Sequence, residues 1–201
     1  MNTRYSVDEL DHDPLRQFQA WFAEAVASAI AMPEAMVLAT ATGAGRPSAR
    51  MVLLKQADER GFGFHTHYES RKGLELGANP HAALLFYWQP LGRQIRVEGV
   101  VARIAAEESE SYFRTRPLGS RLAAWASPQS QPLRDRAELD RLYEEARGRF
   151  RGRELPLPPH WGGLRLAPDA YEFWQHGENR LHDRIRYSPN GDGWRRERLA
   201  P

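Results

Sequence analysis

The sequence contains no cysteine among its 201 residues. This absence excludes disulfides, thiolate nucleophiles and cysteine-ligated metals, and it is typical of proteins kept in the reducing cytoplasm. The sequence also lacks any run of about 18 apolar residues, so we expect no membrane-spanning helix. The polar, acidic N-terminal residues do not have the pattern of a secretory signal. We therefore expect a cytoplasmic protein that does not associate with membranes.

Lysine is almost absent as well. Only Lys55 and Lys72 accompany 26 arginines, so arginine is the default cation of this chain. Retaining a lysine against that background points to a need for a compact, flexible ammonium group, although two cases are also compatible with chance. The formal net charge of +2 is too close to balance to predict a nucleic-acid partner. The arginine-rich segment 134–153 also carries acidic residues, and we interpret it as a solvated helix face.

The length suits a single domain over residues 1–201, of which residues 1–12 are expected to form a flexible N-terminal arm. Apolar spacing and capping residues predict helices over 13–31, 70–77, 107–115, 120–126 and 134–150. Alternating patterns and turn residues predict strands over 36–40, 48–55, 61–66, 82–88, 94–104, 162–167, 170–175, 182–188 and 193–199. Strands on both sides of a helical middle favour a mainly β (α+β) fold, a small barrel with peripheral helices, over a parallel βαβ sheet.

Two pairs of cations lie close together in the first half of the chain. Arg50 and Lys55 bracket an apolar strand and are predicted to point to opposite faces, which indicates either two separate anion sites or two solvated strand ends. Arg71 and Lys72 follow Ser70 at a predicted helix start, where free N–H groups favour a phosphate. Taken alone, this second segment is more often an N-cap followed by solvated cations.

A third candidate group combines Tyr112, Arg116 and Ser120. The first two are four residues apart and share a helix face, and Ser120 is predicted to cap the next helix. A phenol, a guanidinium and a hydroxyl can together bind a phosphate monoester. A core tyrosine beside a surface arginine is an equally acceptable interpretation of the same pattern.

The fourth group lies near the C-terminus. Arg180, His182 and Arg184 alternate on a predicted strand and so share one face. Three neighbouring basic groups repel one another unless an anion lies there, which favours a binding site over an exposed sheet edge.

Several common motifs are missing. The sequence has no Walker loop, no GxGxxG and no GxSxG. His65 and His67 share a strand face, but no third ligand is evident, and we expect no metal site.

The ordered set of motifs resembles the pyridoxine (pyridoxamine) 5′-phosphate oxidases, from about Asp13 to Pro201. The most specific segments are Arg50-x-Val-Leu-Leu-Lys55, Ser70-Arg-Lys72, Glu172-Phe-Trp-Gln175 and Arg180-Leu-His-Asp-Arg184. The resemblance implies a Greek-key-like, FMN-binding split β-barrel that forms a homodimer with FMN at the interface. It further implies oxidation of pyridoxine or pyridoxamine 5′-phosphate to pyridoxal 5′-phosphate. In that reaction hydride passes from substrate C4′ to flavin N5, and O2 accepts the electrons to give H2O2.

The resemblance also assigns residues by position. Those implied to bind FMN are Arg50, Met51, Val52, Leu53, Leu54, Lys55, His65, Thr66, Arg71, Lys72, Gln94, Gln129, Ser130, Trp174 and Arg184. Arg50, Arg71 and Lys72 are implied to lie near the FMN phosphate. Those implied to hold the substrate phosphate are Lys55, Tyr112, Arg116 and Ser120. Arg180 and His182 are implied to cover the pyridine ring and to act in catalysis.

Two departures from the family pattern are visible. His65 stands where the family often has tyrosine, and Ser6–Leu10 stands where some members carry an arginine pair that closes over the substrate.

Three alternative functions are a related FMN oxidase of the phenazine-pathway type acting on another substrate, a non-catalytic flavin- or pyridoxal-phosphate-binding protein, and a basic nucleic-acid binder. The phenol–guanidinium–hydroxyl group favours a phosphorylated substrate, and the basic C-terminal segment disfavours a storage role.

Overall fold

The computed structural model describes residues 6–201, which form nine antiparallel strands and five α-helices. The strands are β1 (Ala35–Ala41), β2 (Pro47–Leu53), β3 (Gln56–Asp58), β4 (Gly61–His67), β5 (His81–Trp88), β6 (Arg93–Arg103), β7 (Trp161–Gln175), β8 (Asp183–Asn190) and β9 (Gly193–Arg198). The helices are α1 (Pro14–Ala27), α2 (Arg71–Ala78), α3 (Ala106–Thr115), α4 (Leu118–Ala126) and α5 (Arg136–Arg149). Within the described residues, none of these helices has the length and apolar character needed to span a membrane.

The long strand β7 divides the sheet. The main path runs β2-β1-β5-β6-β7-β4-β3, and β6 pairs along nearly the whole of one edge of β7. On the other edge the first half of β7 pairs with β4 and the second half with β8, which in turn pairs with β9. The register shifts between Glu98 and Gly99, where a bulge bends the sheet. The sheet thus curls and splits, and the predicted mainly β fold with peripheral helices is confirmed.

Local sequence chemistry explains where several elements begin. Asp13 caps α1 by accepting a hydrogen bond from the Leu15 N–H, and Pro14 occupies the first helical position. The predicted first hairpin is also present, since β1 and β2 pair from Ala35 with Leu53 to Ala41 with Pro47. These contacts depend on neighbours in the chain, which is why the pattern predicts them.

Other predicted elements differ. The two strands predicted over 162–167 and 170–175 are one strand, β7, because β6 pairs across the interruption. Gly77 does not end α2, which continues to Ala78 and is capped by Asn79. Ser120 does not cap α4, because that helix starts at Leu118 after Pro117. The helix predicted over 13–31 ends at Ala27.

Helix α1 covers the inner face of the curled sheet. Phe18 packs edge-on against Phe62 with ring centroids 4.8 Å apart, and Trp21 packs edge-on against Phe173 at 5.3 Å. A second, smaller apolar cluster around Phe113 joins the helical layer to the start of β7. The main cluster thus packs α1 on the sheet, and the smaller cluster packs α3 and α4 against the start of β7.

The described part of the N-terminal arm contacts the last two strands. Arg196 donates to the carbonyl oxygens of Val7 and Leu10, each at 2.7 Å, and Tyr187 donates to the Asp11 carbonyl at 2.7 Å. Leu10 is buried. The prediction of a flexible arm over residues 1–12 includes residues 1–5, which lie outside the described residues.

Candidate functional site

A cavity of about 490 Å³ lies between the β2 edge, β4, the start of α2 and the α3–α4 turn. Twelve of the residues predicted for the site line it: Arg50, Met51, Val52, Leu53, Lys55, His65, Thr66, Lys72, Tyr112, Arg116, Ser120 and Gln129. Pro117 and Trp161 complete the lining. The fold therefore brings residues as far apart in the chain as Arg50 and Trp161 together around one space.

The first cationic group in this cavity, the Arg50 group, consists of Arg50 and Lys72. The Lys72 ammonium contacts the Gln129 side-chain oxygen at 2.7 Å. Burial, reinforced by the charge of Arg50, lowers the pKa of Lys72 to about 8. A partly buried ammonium beside a guanidinium forms a favourable environment for an anion.

Helix α2 brings Lys72 to the cavity. Ser70 caps the helix by accepting from the Gly73 N–H at 3.4 Å. A Cβ at position 73 would lie 2.1 Å from the Tyr68 carbonyl oxygen, so only glycine lets the first turn approach the preceding loop so closely. The sequence Ser70–Gly73 thus sets both the start and the position of this helix.

The second cationic group, the Arg116 group, consists of Lys55, Tyr112 and Arg116. The Lys55 ammonium lies 5.9 Å from the centre of the Tyr112 ring, and the Arg116 guanidinium lies 4.6 Å from the Trp161 ring. Arg116 Nη1 is buried without a hydrogen-bond partner among the described residues. Burial also lowers the pKa of Arg116. A buried donor without a partner favours a ligand that supplies an acceptor.

The prediction that Arg50 and Lys55 face opposite sides of a strand is wrong. Strand β2 ends at Leu53, so Lys55 lies beyond the regular alternation, and its N–H donates to the Gly63 carbonyl at 2.8 Å. Both cations line the same cavity, one in each cationic group. The expected two anion sites are therefore neighbours within one space.

His65 lies in an aromatic stack beside the Arg116 group. Its ring is 4.0 Å from Tyr112 and 5.2 Å from Trp161, centroid to centroid, and nearly parallel to both. Burial, with the charges of Arg116 and Lys55, lowers the pKa of His65 to about 4, so the imidazole is neutral at physiological pH. This neutral ring adds to the aromatic wall of the cavity without bringing a third positive charge to the Arg116 group. Both of its nitrogens are buried without a hydrogen-bond partner among the described residues.

A second set of predicted residues lies elsewhere, on the C-terminal strands. Gln94, Trp174 and Arg184 occupy paired positions on β6, β7 and β8, and we call them the C-terminal row. The His182 ring lies 4.5 Å from Trp174. Arg184 is fixed by two hydrogen bonds to Glu172, at 2.8 and 3.2 Å. None of these residues lines the 490 Å³ cavity.

The predicted alternation of Arg180, His182 and Arg184 on one strand is wrong. Strand β8 begins at Asp183, and Arg180 lies in a short 3-10 turn with φ of 65°. Arg180 is exposed, and His182 lines a separate groove of about 830 Å³ that runs to the chain's last residues. A single chain therefore keeps its proposed ring-covering residues away from its proposed phosphate-binding residues.

The remaining predicted site residues lie outside the cavity lining. Leu54 is buried in the main apolar core, and its N–H donates to the Glu34 carbonyl. Arg71 faces outward and pairs with Glu75 at 2.8 Å. Ser130 lies with Arg71 at an adjoining surface depression, in a left-handed backbone conformation with φ of 72°.

Sequence reasoning missed Trp161 as a lining residue. It follows a proline-rich connector and lies about 45 positions beyond Arg116, so no local spacing joins the two. Its ring is nonetheless the surface on which the Arg116 guanidinium rests.

The fold and cavity define the class of protein. A solved FMN-binding protein from Nostoc punctiforme, related to pyridoxamine 5′-phosphate oxidase, superposes with a TM-score of 0.72 at 19% identity, covering 96% of this chain and 100% of that chain. At this level of identity the comparison shows the fold, which is the split β-barrel.

The family follows from closer matches. Residues 22–150 match the pyridoxamine 5′-phosphate oxidase family model, and residues 161–201 match the pyridoxine 5′-phosphate oxidase C-terminal dimerisation region. A pyridoxine/pyridoxamine 5′-phosphate oxidase from Rubrobacter xylanophilus is 58% identical over 194 residues, covering 96% of this chain and 89% of the relative. The structure of PhzG from Burkholderia lata, solved with tetrahydrophenazine-1-carboxylic acid, has a TM-score of 0.92 and 34% identity, covering 100% of this chain and 99% of that chain. The chain belongs to the pyridoxamine 5′-phosphate oxidase family of oxidoreductases.

Proposed function

We propose that this protein is an FMN-dependent oxidase that converts pyridoxine or pyridoxamine 5′-phosphate to pyridoxal 5′-phosphate. The observation that carries the proposal is the presence of two cationic groups in one cavity, one around Arg50 and one around Arg116. A phosphorylated cofactor and a phosphorylated substrate bound side by side require two such groups. A single-phosphate ligand accounts for only one of them.

The cofactor is FMN, and the donor set of the cavity fits it. The Arg50 group and the start of α2 offer charged donors suited to a terminal phosphate. Strand β2 is the end strand of the sheet, so the outer edge of residues 50–53 has no strand partner among the described residues. Free peptide groups on such an edge suit the hydrogen-bonding side of a planar heterocycle. When bound, FMN supplies the hydride acceptor and passes electrons to O2, giving H2O2.

The protein's own residues bind and orient the substrate. Lys55, Tyr112, Arg116 and Ser120 hold the substrate phosphate, because they surround the part of the cavity that contains the unpartnered Arg116 Nη1. Binding energy from this remote phosphate fixes the pyridine ring for reaction at C4′. The stacked rings of Tyr112, His65 and Trp161 form the aromatic wall beside it.

The active protein is a homodimer whose sites use both chains. The cavity lacks Arg180 and His182, and both lie in the segment that matches the family's dimerisation region. In a two-fold dimer, each chain offers its C-terminal residues to the cavity of the other. Arg180 and His182 of one chain then cover the ring held by its partner, and the C-terminal row completes the flavin site.

A second candidate is an FMN oxidase acting on a phenazine precursor. It is supported by the likeness to PhzG over the whole chain. Both substrates would offer an anionic acceptor to the buried Arg116 donor, a phosphate in the first case and a carboxylate in the second. The two functions therefore differ in which substrate reduces the flavin.

The test is anaerobic flavin reduction. Pyridoxine 5′-phosphate and pyridoxamine 5′-phosphate should bleach the yellow protein, whereas unphosphorylated pyridoxine should do so only at far higher concentration. Arg116→Ala should raise the substrate KM about 10- to 150-fold, the loss expected for a charged hydrogen bond.

Arg114→Ala is the matched control for this test. Arg114 lies two residues away, in the last turn of α3, is exposed and pairs with Glu110 at 2.6 Å. Arg116 itself lies just beyond the end of α3 in an extended conformation, so the prediction that it shares a helix face with Tyr112 is wrong. Loss of the Arg114 side chain should leave KM unchanged. Equal reduction by pyridoxine with and without phosphate contradicts the proposed substrate.

A further inference from the structure

Glu75 is a buried carboxylate beside the proposed cofactor site. It lies on α2, is only 5% exposed, and accepts hydrogen bonds from four side chains. Its Oε1 accepts from Arg71 Nε at 2.8 Å. Its Oε2 accepts from Thr40 Oγ1 and Ser48 Oγ, both at 2.5 Å, and from Arg50 Nη2 at 3.2 Å. Buried carboxylates are rare unless such partners stabilise the charge.

The two hydroxyls link Glu75 to Arg50. A hydroxyl has one hydrogen to donate, and both Thr40 and Ser48 donate theirs to Glu75. Their oxygen lone pairs therefore remain free to accept from Arg50. Nη1 of Arg50 donates to Thr40 Oγ1 at 2.5 Å, and Nη2 donates to Ser48 Oγ. Nη1 also donates to the Leu38 carbonyl at 3.1 Å. Both terminal nitrogens of the guanidinium are thus held, and three of their four contacts belong to the network that converges on Glu75.

The charge of Glu75 is secure under physiological conditions. Burial alone raises the pKa of this carboxyl, but the hydrogen bonds from Ser48, Thr40, Arg71 and Arg50 outweigh burial and lower the pKa to about 2. The carboxylate also separates two arginines, since Arg71 lies on one of its oxygens and Arg50 on the other. Glu75 does not line the cavity itself.

We propose that Glu75 is a positioning residue for the FMN phosphate, because it holds Arg50, which lines the cavity, while Glu75 itself lies outside the lining. This inference rests on the proposed FMN function. The positioning role and simple charge repulsion predict opposite changes in FMN affinity when Glu75 is neutralised. A negative charge near a phosphate weakens anion binding by repulsion, so a pure charge effect predicts tighter binding when Glu75 is neutralised. Positioning predicts weaker binding, because the neutral amide of glutamine donates where the carboxylate accepts and turns the hydroxyls away from Arg50.

The experiment compares two ligands that differ only in the phosphate. The full-length protein, freed of flavin, is titrated with FMN and with riboflavin, and quenching of flavin fluorescence gives each Kd. For Glu75→Gln we expect FMN binding to weaken about 10- to 150-fold, the range for one charged hydrogen bond. Riboflavin binding should not change.

Two further variants serve as a matched control and as a second test of the same hydrogen-bond network. Glu110→Gln neutralises the glutamate of another i,i+4 glutamate–arginine pair, on α3, and should change neither Kd. Thr40→Val removes one hydroxyl of the network with little change of shape. It should lower the FMN-to-riboflavin preference in the same direction as Glu75→Gln, which keeps the test valid if that variant folds poorly.

The outcomes separate the two proposals. If the unmodified protein binds riboflavin as tightly as FMN, the cofactor phosphate site itself is wrong. If the unmodified protein prefers FMN and Glu75→Gln keeps or strengthens that preference, the positioning role is refuted. An equal loss of affinity for both ligands, accompanied by a lower Tm, also refutes it, because that pattern describes a residue needed only for folding.

Discussion

Complementation between two impaired variants, assayed at a substrate concentration well below the raised KM, tests the shared active site most directly. Arg116 lines the cavity, whereas His182 lies on the C-terminal segment and does not line it. Arg116→Ala should lower substrate binding about 10- to 150-fold, and His182→Ala should slow the reaction on the order of 100-fold through lost orientation. Each homodimer therefore has two defective sites.

A heterodimer of the two variants behaves differently if each site uses both chains. One of its sites then carries both substitutions, and the other carries neither. The two chains, co-expressed with different affinity tags and purified through both, should show about half the activity of the unmodified dimer. If each site were built within one chain, the heterodimer would contain one defective site of each kind. Activity no higher than that of the two parent homodimers would refute the shared site.

Three further predictions follow from the pKa values and the core. Because burial lowers the pKa of Lys72 to about 8, FMN affinity should fall as the pH rises through 8 and the ammonium loses its proton; Lys72→Arg should abolish this fall in a fluorescence titration. His65, with its pKa lowered to about 4 from 6.5, stays neutral in the fold while the unfolded chain takes up a proton, so stability should fall as the pH drops from 6.5 towards 4. A His65→Phe variant whose Tm depends on pH as steeply as the unmodified protein would contradict this. Phe18→Ala should lower the free energy of unfolding, measured in urea, by about 3–5 kcal/mol, because the ring is fully buried between α1 and the sheet. A decrease below about 1 kcal/mol would show that the surrounding side chains collapse into the cavity left by the ring.

The site itself was only partly predictable. The resemblance to the family assigns twelve of the residues that line the cavity. Charge and hydroxyl spacing by itself points to only six of them, which are Arg50, Lys55, Lys72, Tyr112, Arg116 and Ser120. Trp161 and Glu75 escaped notice, since their roles depend on neighbours far away in the chain. Arg116 rests on Trp161 across about 45 positions, and Glu75 meets Ser48 across 27. A lone glutamate on a short helix resembles any solvated residue until the sheet buries it.

The sequence by itself determined the elements that rest on local chemistry. Asp13 and Pro14 fix the start of α1, Ser70 caps α2, and alternating residues set the strands of the first hairpin. Hydrogen bonds between residues two to four positions apart form in the same way in any fold, so pattern alone predicts them.

Tertiary structure decided the rest. Pairing with β6 along one edge joins two predicted strands into β7. The paired residues are far apart in the chain, so the local sequence pattern does not predict this continuity. The end of β2 at Leu53 turns Lys55 into the cavity that Arg50 also lines, and the left-handed backbone at Arg180 removes that residue from β8. Register and strand ends are set by the packing of distant segments, whose free energy depends on the whole sheet. The positions of the charges could therefore be anticipated along the chain, but only the folded sheet brings the two cationic groups into one cavity and leaves the C-terminal residues outside it.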